Sequence, residues 1–217
     1  MPTQMTRREF VTTTAVLGAA AAAGGLTGCA ASVEQDSALV PTPSTSYGGG
    51  LSVSKRVFVG YATGTGSTVG VAEMIGETLG KRGFDVDVKP MKDQPSLDGY
   101  EAVILGSAVN GGHWLPEAEA FVVANGDPLG KVPVALFCVH AMNTGPEAKK
   151  VARRQAYLDK VRETVKPVAE GYFVGVGPND AESNWFTRTM FRTFGGDIEG
   201  DGRDWNAIKA WAEQVPV

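Results

Sequence analysis

Two cysteines and two histidines are all that this 217-residue chain holds of the side chains that most often ligate metals. Cys29, Cys138, His113 and His140 are scattered, with no Cys/His/Asp cluster at ligand spacing, so no metal site is expected. An excess of basic charge is also missing. The net charge is −4, and no Lys/Arg cluster offers the surface that a phosphate backbone demands, so nucleic acid is not an expected partner. Long runs of large apolar residues are absent as well. The least polar stretch near the N-terminus is Ala, Gly and Thr, which gain little from hydrocarbon and make a poor membrane span. No internal repeat is seen. With 43% hydrophobic and 20% charged residues, what is left is enough to bury one sizeable core.

The first 29 residues read as an address. In "TRREFVTTTAVLGAAAAAGGLTGC", paired Arg7 and Arg8 precede a weakly apolar run that ends in Leu26-Thr27-Gly28-Cys29, the order of a twin-arginine export signal closing on a lipobox. This predicts export, with Cys29 lipidated and holding the protein to a membrane of the cell envelope, outside the cytoplasm; an uncleaved anchor is the other reading. With Cys29 lipidated no internal disulfide can form, and Cys138 in "VALFCVHA" is expected to be a small buried hydrophobe. Residues 30–54 are rich in Ser, Pro and Gly and read as a flexible tether, so the folded domain is expected over 55–217.

From Lys55 onward strands and helices alternate. "RVFVGYA" reads as a buried strand, and the helix after it places Thr68, Ala72, Ile75 and Leu79 on one face. "FDVDVKP" alternates strictly, as a strand at a sheet edge does. "AVILGSA" and "VPVALFCVHA" are the near-continuous apolar runs of central parallel strands, followed by helices over 116–124 and about 147–165. "GYFVGVG" is a fifth strand. Asp204 is placed to cap a last helix whose Trp205, Ile208 and Ala212 should face the sheet. The predicted fold class is α/β, a doubly wound five-stranded parallel sheet with helices on both faces, with ligands bound beyond the carboxyl ends of the strands.

The turn after the first of these strands, "TGTGST", carries a phosphate cradle. Thr63, Thr65, Ser67 and Thr68 offer hydroxyls at a helix N-terminus, where backbone amides and the helix dipole attract an anion, and Gly64 and Gly66 let the backbone approach closely. The Gly-Lys-Ser/Thr ending of a nucleotide-triphosphate loop is missing, and Gly64, Gly66 and Gly70 miss the dinucleotide spacing by one residue. Neutral hydroxyls without lysine suit a terminal phosphomonoester.

"VGYATGTGSTVGVAEMI" resembles the FMN-phosphate signature of flavodoxins, with Tyr61, Thr63, Gly66, Thr68, Ala72 and Ile75 in the pattern's places and Gly60 where a larger apolar residue is usual. The likeness runs over most of 55–217 and is nearest to the menaquinone-dependent protoporphyrinogen oxidase branch, which shows a similar "GSAVNGGH" and a late Gly-Gly segment leading to an "(T/R)DW" helix start, here Gly195-Gly196 and Arg203-Asp204-Trp205. The resemblance implies noncovalent FMN, an oxidoreductase similar to the quinone-linked oxidases with a quinone or redox protein as partner, or else a non-enzymatic electron carrier. It also implies ring contacts. Ser107, Ala108, Val109, Asn110, Gly111, Gly112, His113 and Trp114 would flank one side of the flavin through backbone groups, with His113 or Trp114 beside it. The loop with His140, Ala141 and Asn143 would close the other. Trp114 reads equally as a packing residue at the helix start, and His140 as a strand-end residue. The aromatic stretch "SNWFTRTMFRTFGG" is a lid, a quinone or membrane contact, or core. The catalytic residues are not legible.

Overall fold

In the computed structural model, residues 40–49, 54–178, 189, 193, 196 and 198–217 are described, all within the unit Asp36–Val217. The export signal, Cys29 and most of the aromatic stretch lie outside the described residues.

The four buried or half-buried runs read from the sequence form β2 (Arg56–Ala62), β3 (Asp85–Pro90), β4 (Ala102–Asn110) and β6 (Val134–His140), and β7 (Ala169–Val174) is the fifth. They pair in parallel in the order β3-β2-β4-β6-β7. The order reverses at β2, so a crevice opens where the chain leaves β2 and β4 in opposite directions across the sheet. The five-stranded parallel sheet is as expected. Two short antiparallel strands, β1 (Thr45–Tyr47) and β5 (His113–Trp114), are added to it.

β1 corrects two expectations. Thr45, Ser46 and Tyr47 pair with Val88, Asp87 and Val86, so the reading of residues 30–54 as free tether fails over 45–47, and β3 is not an edge strand. The alternation of β3 arises because Val86 and Val88 are buried under helix α1 (Ser67–Lys81) while Asp85, Asp87 and Lys89 point to a wetter face. A three-residue strand in a Ser/Pro/Gly-rich segment has no periodicity of its own; its partner makes it.

The sheet separates two cores. Thr68, Ala72, Ile75 and Leu79 of α1 are buried as predicted, packing with α6 (Trp205–Gln214) on one face. On the other, Phe58, Leu105, Leu136 and Cys138 meet Trp114 and α2 (Pro116–Ala124), with the short α3 (Gly126–Leu129) beyond it. The helix expected over 147–165 is broken into α4 (Ala148–Gln155), a tight turn at Ala156–Leu158 and α5 (Asp159–Arg162). The break lets Tyr157 and Leu158 turn inward, whereas α4 buries none of its residues. Asp204 caps α6 by accepting from the Ala207 amide at 3.0 Å. Trp205, expected to face the sheet, instead leaves 37% of its surface exposed. Trp211 takes that place, its ring 5.7 Å from Phe173 and its indole N–H donating to the Glu170 carbonyl at 3.1 Å.

Gly60, where a larger residue is usual in the resembled pattern, has no room for one. A Cβ there would fall 2.7 Å from Phe58 Cε1 and 2.8 Å from Leu105 Cδ2, side chains that already fill the space.

Candidate functional site

Register brings three loops to one end of the sheet. Ala62, the last residue of β2, pairs with Ser107, and Ala108 pairs with Val139, so the Thr63–Thr68 turn, the end of β4 and the His140 loop emerge side by side.

The turn has the form of a prepared anion cradle. Gly66 is the N-cap residue of α1 at φ 91°, a left-handed conformation that favours glycine, and no side chain caps the helix. Thr63 Oγ1 accepts from the Gly66 amide at 2.9 Å, drawing the turn closed. Gly64 and Thr65 are exposed, and a Cβ on Gly64 would meet nothing within 4 Å among the described residues. Thr68 is fully buried, yet its hydroxyl oxygen has no hydrogen-bond partner among the described residues. A buried hydroxyl left unpaired is unfavourable by about 1–3 kcal/mol. A phosphate oxygen at the helix N-terminus would relieve that, so the donor set fits a phosphomonoester. Arg203 adds a cation that the hydroxyl pattern did not reveal. Its Nη1 donates to the Ser67 carbonyl at 3.4 Å, its guanidinium lies 4.6 Å from the Trp205 ring centroid, and it grips Asp201 at 2.6 Å. That grip holds the Asp201 carboxyl down at about 2.

"GSAVNGGHW" is a hairpin rather than an open loop. Val109 pairs with Trp114 and Asn110 with His113, joined by Gly111 and Gly112 at φ 60° and 88°, the two positive values of a type I′ turn. Ser107 ties its base by donating to the Ala108 carbonyl at 2.8 Å and accepting from the Leu115 amide at 3.0 Å. His113 and Asn110 are exposed at the tip. Trp114 is a core residue, 2% exposed, which overturns its placement beside a flavin ring and leaves only its backbone to the site. Alternation explains this: once Asn110 and His113 face solvent, Trp114 must face the core.

The third loop is braced by groups that sequence reasoning missed. His140, 4% exposed, ends β6 as a strand-end residue; its Nδ1–H donates to the Met142 carbonyl at 2.8 Å, and its ring lies 5.6 Å from Tyr157. Burial lowers its pKa to about 4, so it is neutral at pH 7. Asn143 takes the left-handed conformation at φ 58° and donates to the Tyr157 hydroxyl at 2.6 Å. Arg154 donates to the carbonyls of Asn143 at 3.0 Å and Gly145 at 2.7 Å. Nothing in their spacing marked Tyr157 or Arg154: Arg154 reaches back to the loop from the last turn of α4, and Tyr157 from the tight turn that breaks the helix. A groove of about 400 Å³ runs along the outer edge of β7 and touches this loop at His140 and Thr144.

Residues 58–202 match the family described as the flavodoxin domain. Protoporphyrinogen IX dehydrogenase (quinone) of Escherichia coli strain K12 is 23% identical over 107 residues, which are 48% of this chain and 59% of that protein. The chain thus spans less than two thirds of the length of the curated relatives it matches. Among solved structures, a flavodoxin from the domain Archaea is 20% identical with a TM-score of 0.44, covering 73% of this chain and 94% of that one. The Streptococcus pneumoniae TIGR4 flavodoxin is 15% identical with a TM-score of 0.46, covering 73% and 96%.

Proposed function

The chain belongs to the flavodoxin domain family and binds FMN, and on that premise we propose that it is an exported, lipid-anchored oxidoreductase that exchanges electrons with a quinone. The observation that carries the cofactor assignment is the buried hydroxyl of Thr68, without a partner among the described residues, at the start of α1, which no described side chain caps. Thr63, Thr65, Ser67 and Thr68, with the amides of residues 64, 65, 67 and 68, would hold the phosphate by dipoles and hydroxyls rather than by a lysine. Residues 107–113 on the hairpin and His140, Ala141 and Asn143 on the braced loop would flank the ring. FMN, when bound, supplies the electron-transfer chemistry.

The chain's own residues orient and insulate. The Gly111-Gly112 turn and the Ser107 hydrogen bonds fix one wall, and Arg154 and Tyr157 fix the other. His140, neutral at physiological pH, contributes no charge of its own, and the positive charge on this loop is that of Arg154, which binds the Asn143 and Gly145 carbonyls. Anchoring rests on Arg7-Arg8 and the lipobox at Cys29, and the quinone on the name of the E. coli relative.

The test is to isolate the full chain from membranes, extract the cofactor, and follow oxidation of the reduced protein by soluble quinones and its reduction by a porphyrinogen. Turnover with a quinone supports the oxidoreductase. Fast electron exchange with a small redox protein, with no quinone turnover, makes it a carrier instead.

A further inference from the structure

We propose that residues 40–47 are a built part of the cofactor site, a strap that holds the phosphate cradle in its binding shape and slows the loss of bound FMN. This rests on the reading of Thr63–Thr68 as the phosphate cradle.

The strap touches the domain at successive points that converge on that turn. At its far end, β1 pairs with β3, and Ser46 Oγ donates to Asp87 Oδ1 at 2.5 Å. Next, Tyr47 lies across α1 where two glycines stand one helical turn apart. A Cβ on Gly76 would come within 2.9 Å of Tyr47 Cε2, and one on Gly80 within 2.8 Å of Tyr47 Cβ, so the bare backbone of α1 makes the seat for this ring. Closer in, the Pro43 carbonyl accepts from the Tyr61 hydroxyl at 2.7 Å. Burial, with Glu73 and Asp93 nearby, raises the pKa of that phenol, so it remains a donor at any physiological pH. Thr42 then closes a small cavity with Tyr61, Ala62 and Thr63. Finally, Val40 Cγ1 reaches 3.4 Å from where a Cβ of Gly66 would stand, against the residue that starts α1.

The strap therefore fixes both sides of the cradle. Tyr47 holds α1, whose first turn supplies Ser67 and Thr68; Pro43 holds Tyr61, two residues before Thr63. A site whose donors are held in place before binding avoids the ordering penalty and opens less often. An edge strand added only to protect β3 would need the pairing of 45–47 but not the contacts at 40–43.

The experiment uses the full chain with the variants Tyr61→Phe and Tyr47→Ser and, as a marker for the cradle, Thr68→Val. FMN dissociation is followed by the fluorescence of released flavin, and amide exchange of residues 64–68 is measured without FMN. The strap predicts dissociation faster by about tenfold in Tyr61→Phe, the effect of one hydrogen bond, with faster exchange at 64–68. Unchanged dissociation and exchange in Tyr61→Phe, while Thr68→Val weakens binding, would overturn the strap and leave the cradle standing. Unchanged FMN affinity in all three variants would overturn both. Should Tyr47→Ser fail to fold, Tyr61→Phe, which removes one oxygen, decides.

Discussion

The ring of Phe137 lies flat over the backbone of Gly106, its partner across β4 and β6, so that a Cβ at Gly106 would fall 2.0 Å from Phe137 Cζ. The ring cannot simply move away, since it also packs against Phe173 at 6.1 Å and Trp211 at 6.4 Å. Gly106→Ala is expected to destabilise the domain by at least about 2 kcal/mol, the scale of overpacking in a tight core. Urea unfolding measures it. Gly64→Ala, where the added methyl has open space, is the matched control and should leave the midpoint nearly unchanged.

Thr68 yields a prediction with opposite signs in two assays. Thr68→Val keeps shape and removes a buried hydroxyl that has no partner among the described residues. The FMN-free protein should be unchanged or more stable, by up to about 1–2 kcal/mol, because an unpaired polar group leaves the core. FMN binding should weaken by roughly 1–3 kcal/mol, the value of a hydrogen bond to a charged group. Parallel thermal melts and FMN titrations separate the two. Loss of both stability and affinity would make Thr68 an ordinary core residue.

How much of this was legible follows from the physics of each element. α1 and its buried Thr68, Ala72, Ile75 and Leu79 were plain because a helix repeats its core face locally. The strand-to-helix turn at 63–68, on which the phosphate reading rests, was legible because hydroxyls and glycines coincide there within six residues. β1 was not, since pairing with β3 supplies nearly all that makes residues 45–47 a strand, and its clue, Gly76 and Gly80 beneath Tyr47, reads as an ordinary helix until the ring is seen there. Trp205 and Trp211 both fit an apolar stripe; which one faces the sheet is decided by Arg203 drawing Trp205 toward the cradle. The single helix expected over 147–165 hid the break that brings Tyr157 to the loop after β6.

His140 should make stability fall in mild acid. Its folded pKa, lowered to about 4 chiefly by burial, lies below the ordinary value of 6.5. The unfolded chain therefore binds the proton first, so stability is complete above about pH 7 and declines as the pH falls from 6.5 toward 4, by roughly 3 kcal/mol in all. The paired carboxylates Asp87, Glu170 and Asp201, with lowered pKa values, lose their contributions at more acidic pH. Unfolding free energies between pH 7 and 4.5 test this: His140→Phe should flatten the slope in that window, and a slope that survives the substitution assigns it elsewhere.

The last prediction concerns Asn143, which sits in the loop after β6 in a backbone conformation that side chains avoid. At φ 58°, an ordinary residue is strained by about 1 kcal/mol, asparagine less, and glycine hardly at all. The Asn143 amide also donates to Tyr157, whose hydroxyl in turn donates to the Met142 carbonyl at 3.3 Å, the same carbonyl that takes the His140 N–H. Two effects can thus be separated by substitution. Asn143→Ala loses both the backbone tolerance and the hydrogen bond and should be the most harmful, at about 2 kcal/mol in stability. Asn143→Gly keeps the backbone and loses only the bond, at about half of that, and Tyr157→Phe removes the same bond from the other end. If the loop forms one wall of the flavin site, FMN affinity should follow the order wild type, Asn143→Gly, Asn143→Ala. Fluorescence titration gives that order; equal affinities in all three, with stability falling as expected, would mean that the loop's conformation serves the fold and not the cofactor.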